Sequence, residues 1–105
     1  MAAPHHATVK RIRLTHDMEL SAWKCDNTWE AYAEAYPKGS KHHPSARLAV
    51  GEAFNCDTQV EARVMAVFRL ASELFGHVEM AQSFDEALKQ LRTAADAAFN
   101  ARCGL

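Results

Sequence analysis

The sequence predicts an α+β fold: a small single-layer sheet of about three strands covered by helices, ending in two long amphipathic helices. Three observations carry this expectation. Apolar residues recur at helical spacing through most of the second half, the segment Thr8–Thr15 alternates with the two-residue period of a strand, and turn formers separate the periodic stretches.

Residues 1–7 read as a flexible N-terminal tail and residues 8–105 as one small globular domain, because 105 residues supply one core and not two. In the first strand, Ile12 and Leu14 share one face and Arg11 and Arg13 the other. Asp26 or Asn27 is placed to cap a short helix running to Tyr36, since Trp29, Tyr32, Ala33 and Tyr36 fall on one side at spacings of three and four. Pro37 ends that helix and opens a polar loop to Pro44.

Residues 45–55 fit two templates. Leu48, Val50 and Phe54 alternate with Ala49, Gly51 and Ala53 as in a strand, while Ala46, Ala49, Val50, Ala53 and Phe54 would form a helical stripe. Gly51 favours the strand, because glycine costs ~1 kcal/mol in a helix interior. The helical alternative would make the chain nearly all-α.

Asp57-Thr58 then opens a helix, with Asp57 as its cap and with apolar positions Val60, Val64, Val67, Phe68, Ala71, Leu74 and Phe75, closed by Gly76. A third short strand is expected over His77–Ala81. Ser83-Phe84-Asp85-Glu86 has the spacing of a capping box, and Phe84, Ala87, Leu88, Leu91, Ala95, Ala98 and Phe99 keep one face of the last helix apolar. Asp85 with Lys89 and Arg92 with Asp96 are spaced as ion pairs along its solvent face.

Composition narrows the function classes. The net charge is −1, so no global field recruits nucleic acid or an anionic membrane. Residues 1–50 hold seven Lys/Arg against five Asp/Glu and residues 51–105 five against eight, a mild asymmetry. No apolar run reaches the length of a membrane span and the first residues lack a signal-peptide core, so a cytoplasmic protein with no membrane partner is expected. Cys25, Cys56 and Cys103 are an odd set without close spacing, which fits plain thiols in a reducing compartment.

Trp23, Trp29, Tyr32 and Tyr36 are the strongest functional signal, because each joins a large apolar body to a polar tip, the chemistry favoured where a surface meets a partner. Arg11 and Arg13 would contribute charge to the same surface. The leading expectation is a non-enzymatic protein-binding module whose partner is another protein or a second copy. It includes an accessory or inhibitory protein of the kind mobile elements encode, a context suggested by size alone.

Two alternatives come from other classes. Arg11, Arg13 and the aromatics could contact phosphates and stack bases, although no nucleic-acid-binding motif accompanies them. A metal- or thiol-dependent enzyme would draw on His5, His6, His16, His42, His43, His77, Cys25 and Cys56, or on the carboxylates Glu52, Asp57 and Glu61. No paired ligand spacing supports a zinc site, acidic residues in a first helical turn suit the helix dipole, and no histidine lies near Cys56 in sequence. No catalytic residue, metal or cofactor is assigned.

Overall fold

The computed structural model describes the backbone of residues 8–13, 16–39, 42–76 and 78–103, and the side chains of 16–39, 42–76 and 78–98. The expected tail falls outside these residues. The fold is α+β, with a single-layer sheet covered on one face by helices. Four strands, β1 (Thr8–Arg13), β2 (His16–Cys25), β3 (Thr28–Pro37) and β4 (Ala49–Cys56), form an antiparallel meander in chain order. Two helices follow, α1 (Gln59–Phe75) and α2 (Phe84–Cys103).

The helix expected over 26–36 is strand β3, and the reason is visible in the pairing. Asp26 and Asn27 form a tight hairpin turn, with Asp26 at φ 57° and the Thr28 hydroxyl donating to the Cys25 carbonyl at 3.1 Å. Beyond the turn, Ala31, Ala33 and Ala35 alternate with Glu30, Tyr32, Glu34 and Tyr36. Each alanine is at most 1% exposed and faces the helices. An alternation of small and large residues is a strand period, disguised here by the three-and-four spacing of Trp29, Tyr32, Ala33 and Tyr36.

The strand reading of residues 45–55 holds from Ala49 onward, whereas Ser45 and Ala46 lie in a 3₁₀ turn and Arg47 and Leu48 precede the strand. Ala49, Gly51 and Ala53 are the buried side of β4, whereas Leu48 and Phe54, at 52% and 51% exposure, lie on the other side. Small residues line this side of the sheet because α1 lies close against it. A Cβ at Gly51 would overlap the carbonyl oxygen of Ala66 and the amide nitrogen of Leu70. Ala62 and Ala66, both fully buried, supply the matching small surface on α1.

Helix α1 lies across β2, β3 and β4, and α2 packs on α1. Leu20 from β2, Val67 and Leu70 from α1 and Leu91 from α2 are the largest side chains removed from water. Each contributes about 1.5–3 kcal/mol gross.

Both helices begin as their sequences suggest, with one shift of role. Thr58, not Asp57, is the N-cap of α1: its hydroxyl accepts from the Glu61 amide at 3.1 Å, and the Glu61 carboxylate accepts from the Asp57 amide at 3.3 Å. Ser83 accepts from the Glu86 amide at 3.1 Å, and Glu86 accepts from the Gln82 amide at 3.1 Å. Gly76 ends α1 at φ 85°. The connection between the helices contains no strand among the described residues: Val78 to Ala81 is irregular, with Ala81 buried beneath it. Asp85, Lys89, Arg92 and Asp96 are exposed as expected, but neither pair is within ion-pair distance.

Candidate functional site

A single sheet covered on one side leaves its other side uncovered. Strand alternation sends Met18, Leu20 and Ala22 toward the helices, so β2 presents Asp17, Glu19, Ser21 and Trp23 to the open face. On the same face β3 presents Glu30, Tyr32, Glu34 and Tyr36, and β4 presents Val50, Glu52 and Phe54. The register sets the neighbours. Trp23 is opposite Glu30, Ser21 opposite Tyr32, and Tyr32 opposite Glu52.

The structure divides the residues singled out in the sequence. Trp23 and Tyr32 meet edge to face on the open side, with ring centroids 6.1 Å apart and an interplanar angle of 81°. Trp29 is on the opposite face, packed against the core. Tyr36 is on the open face but only 3% exposed. Arg11 and Arg13 stand opposite Glu19 and Asp17 in the β1–β2 register, and their side chains are outside the described residues.

Carboxylates surround the aromatic pair. The Trp23 indole N–H donates to Glu30 at 3.0 Å, and Tyr32 faces Glu52 across the β3–β4 register. Glu52 first, and then burial, raises the Tyr32 phenol above its ordinary range. Glu34 accepts from Tyr36 at 3.1 Å and pairs with Arg47 at 3.0 Å. Burial first, and then Glu34, raises Tyr36 as well.

Tyr36 is covered by His42, which follows β3 in the chain. The His42 ring stacks on the Tyr36 ring with centroids 4.5 Å apart and planes 4° from parallel. Its Nδ1 lies 2.7 Å from a Glu19 carboxylate oxygen, and its Nε2 lies 3.5 Å from Asp17. The Gly39 amide donates to the same Asp17 oxygen at 3.1 Å. The imidazole thus covers one end of the open face and leaves the Trp23–Tyr32 end uncovered.

The residues considered for catalysis are dispersed. His42 sits at the Tyr36 end of β3, whereas Cys56 pairs with Trp29 at the other end, roughly 24 Å away at 3.4 Å per strand residue. Cys56 is buried, its thiol raised by burial and then by the charge of Glu61, and its Sγ contacts the Phe54 carbonyl at 3.6 Å. His43 accepts from the Ser45 amide at 3.3 Å in a short 3₁₀ turn, and His16 packs edge-on against Phe75. Glu61 serves the α1 cap, and Glu52 faces Tyr32. Among the described residues, no three His, Cys, Asp or Glu side chains converge closely enough to hold a metal ion.

The gaps between the layers are about 10 Å³ each, at the lower limit for one water molecule. A hollow of about 490 Å³ opens beside α2, lined by residues including Val78, Glu79, Lys89 and Thr93, but Glu86 at its edge is committed to a helix cap. No helix among the described residues is long and apolar enough to cross a membrane.

Sequence reasoning named the aromatics but missed Glu30, Val50, Phe54, His42 and Arg47 as their neighbours, and treated Glu52 as part of a different cluster. The signal was the alternation of Ala31, Ala33 and Ala35 with larger residues. No protein-family model matches the chain, no curated protein matches it, and no solved structure matches it.

Proposed function

We propose that this protein is a non-enzymatic protein-binding module that works through the open face of its sheet. One observation carries the reading: Trp23, Tyr32, Val50 and Phe54 gather on the sheet face opposite the helices, where no described element lies over them. Aromatic residues that keep a polar tip in water while offering a rigid apolar surface are favoured contact groups in protein interfaces. Phe54, half exposed, is not needed by a core that Leu20, Leu70, Leu91 and the alanines already fill. An accessory or inhibitory role fits this reading, because it requires a surface and no reaction centre.

Nucleic-acid binding is less well supported by this face. Its described side chains include Asp17, Glu19, Glu30, Glu34 and Glu52, which would repel a phosphate backbone. The reading is tested with a photoreactive amino acid introduced at position 21, beside Tyr32, or at the exposed position 73 on α1. Irradiation of the native host should yield a covalent adduct to another protein, or to a second copy, from position 21 and not from 73. Equal labelling from the two positions, or none from 21, refutes the reading.

A further inference from the structure

We propose that the open face receives a basic segment of a partner protein, with an arginine or lysine side chain seated over the Trp23–Tyr32 pair between Glu30 and Glu52. The inference rests on the reading of this face as a protein-binding surface and adds the chemistry of what it binds. The argument begins with charge. Of the carboxylates on this face, Glu34 is paired with the Arg47 guanidinium. The Glu30 carboxylate instead meets a neutral donor, the Trp23 indole, and Glu52 stands across the register from the neutral Tyr32.

A neutral donor holds a carboxylate in place without cancelling its charge. The indole bond and the strand register therefore place two negative groups beside two aromatic rings, Glu30 two residues along β3 from Tyr32 and Glu52 directly across from it. A guanidinium or ammonium group is attracted by the face of an aromatic ring and by carboxylates at its edge, so one cationic side chain satisfies all four residues. The raised phenol of Tyr32 reports the same negative surroundings.

Charge also decides between occupants. A second copy presenting this face would set Glu30 and Glu52 against their own like charges, and a nucleic acid would bring phosphates to them. A basic protein segment brings the opposite sign. The apolar side chains of Val50 and Phe54 beside Glu52 would accept the aliphatic parts of that segment.

The test is an NMR titration of the ¹⁵N-labelled full chain with acetylated hexa-arginine amide, using hexa-citrulline, of similar shape but uncharged, as the control. Saturable shifts are expected at the Trp23 indole N–H and at the amides of Tyr32 and Glu52, with none from hexa-citrulline. Glu30→Gln combined with Glu52→Gln should weaken binding by about tenfold or more, as expected for losing charge-assisted contacts, while Glu73→Gln on α1 leaves it unchanged. Lysine in place of arginine in the peptide should bind at the same resonances.

Unchanged binding in the double variant, shifts spread over the helix carboxylates, or tighter binding of oligothymidine at the same resonances would each overturn the inference. Concentration-dependent shifts of the same resonances without peptide would do so too, by making the occupant a second copy. The two proposals fail separately. A protein adduct at position 21 without hexa-arginine binding overturns the charge assignment alone, whereas hexa-arginine binding without any adduct removes the protein-binding reading and this inference with it.

Discussion

Gly51 lies directly under the α1 backbone, where the carbonyl oxygen of Ala66 and the amide nitrogen of Leu70 occupy the space a Cβ would need. The Leu70 Cα is a further 3.0 Å neighbour of that position. A helix backbone cannot yield as the tip of a flexible side chain does, so the smallest substitution must push α1 away from the sheet. Gly51→Ala should destabilise the fold by about 3 kcal/mol, at the upper end of overpacking costs, measured as a lower midpoint in urea. Gly39→Ala, at a site with no neighbouring atom but a φ of 78°, should cost about 1 kcal/mol through backbone strain alone.

His42 makes a different kind of contact, since it stabilises the sheet from its open side. Its ring covers Tyr36 and faces the carboxylates of Glu19 and Asp17. His42→Ala should lower stability by about 1–2 kcal/mol, of which the aromatic stack supplies about half. His42→Phe separates the two contributions: it keeps the stack and loses the contacts of the ring nitrogens with the carboxylates, so its urea midpoint should fall between those of the wild type and His42→Ala. Tyr36 should become accessible to quenchers in the alanine variant and stay protected in the phenylalanine variant.

The helix caps give an independent stability prediction. Thr58 and Ser83 each accept from the amide three residues later, and Glu61 and Glu86 each reach back to an amide before the helix. Thr58→Ala and Ser83→Ala should each cost about 1 kcal/mol, and because the caps share no partner the losses should add in the double variant. Asp57→Ala should cost less, since Asp57 contributes its backbone amide and not its side chain to the α1 box. Thermal unfolding followed by circular dichroism checks all four variants.

The parts of the fold legible in the sequence are those in which local preference and tertiary packing agree. Both helices carry a cap, a stripe at helical period and an end, so Ser83, Gly76 and, to within one residue, the start of α1 could be read without knowing what the helices pack against. Strand β4 was legible because Gly51 is a poor helix residue and Leu48, Val50 and Phe54 keep a strand period. Strand β3 was not. Its core side consists of alanines because α1 comes so close, while Trp29, Tyr32, Ala33 and Tyr36 fall at spacings of three and four, so the local pattern was misleading. The misreading scattered the site as well. Glu30 and Glu52 are far apart in sequence and meet Tyr32 only through the β3–β4 register, which no local pattern encodes.

The same register gives the open face a defined response to alkali. Tyr32 is raised chiefly by Glu52, Tyr36 by burial and Glu34, and Cys56 by burial and Glu61. Each group is neutral when protonated, so each holds its proton to higher pH in the folded chain than in the unfolded one. Above the ordinary range of these groups the native state therefore binds more protons than the unfolded state, and stability falls as pH rises. Their contribution is complete below about pH 8, declines first through Cys56 and then, from about pH 10, through the two tyrosines. Urea midpoints measured from pH 7 to 11 should follow that descent. Tyr32→Phe keeps the ring against Trp23 but removes the titrating hydroxyl, so it should flatten the upper part of the curve. Glu52→Gln should flatten it in part, since it removes the charge that most disfavours the tyrosinate. A Tyr32→Phe curve parallel to that of the wild type above pH 10 would show that Glu52 does not hold the Tyr32 proton.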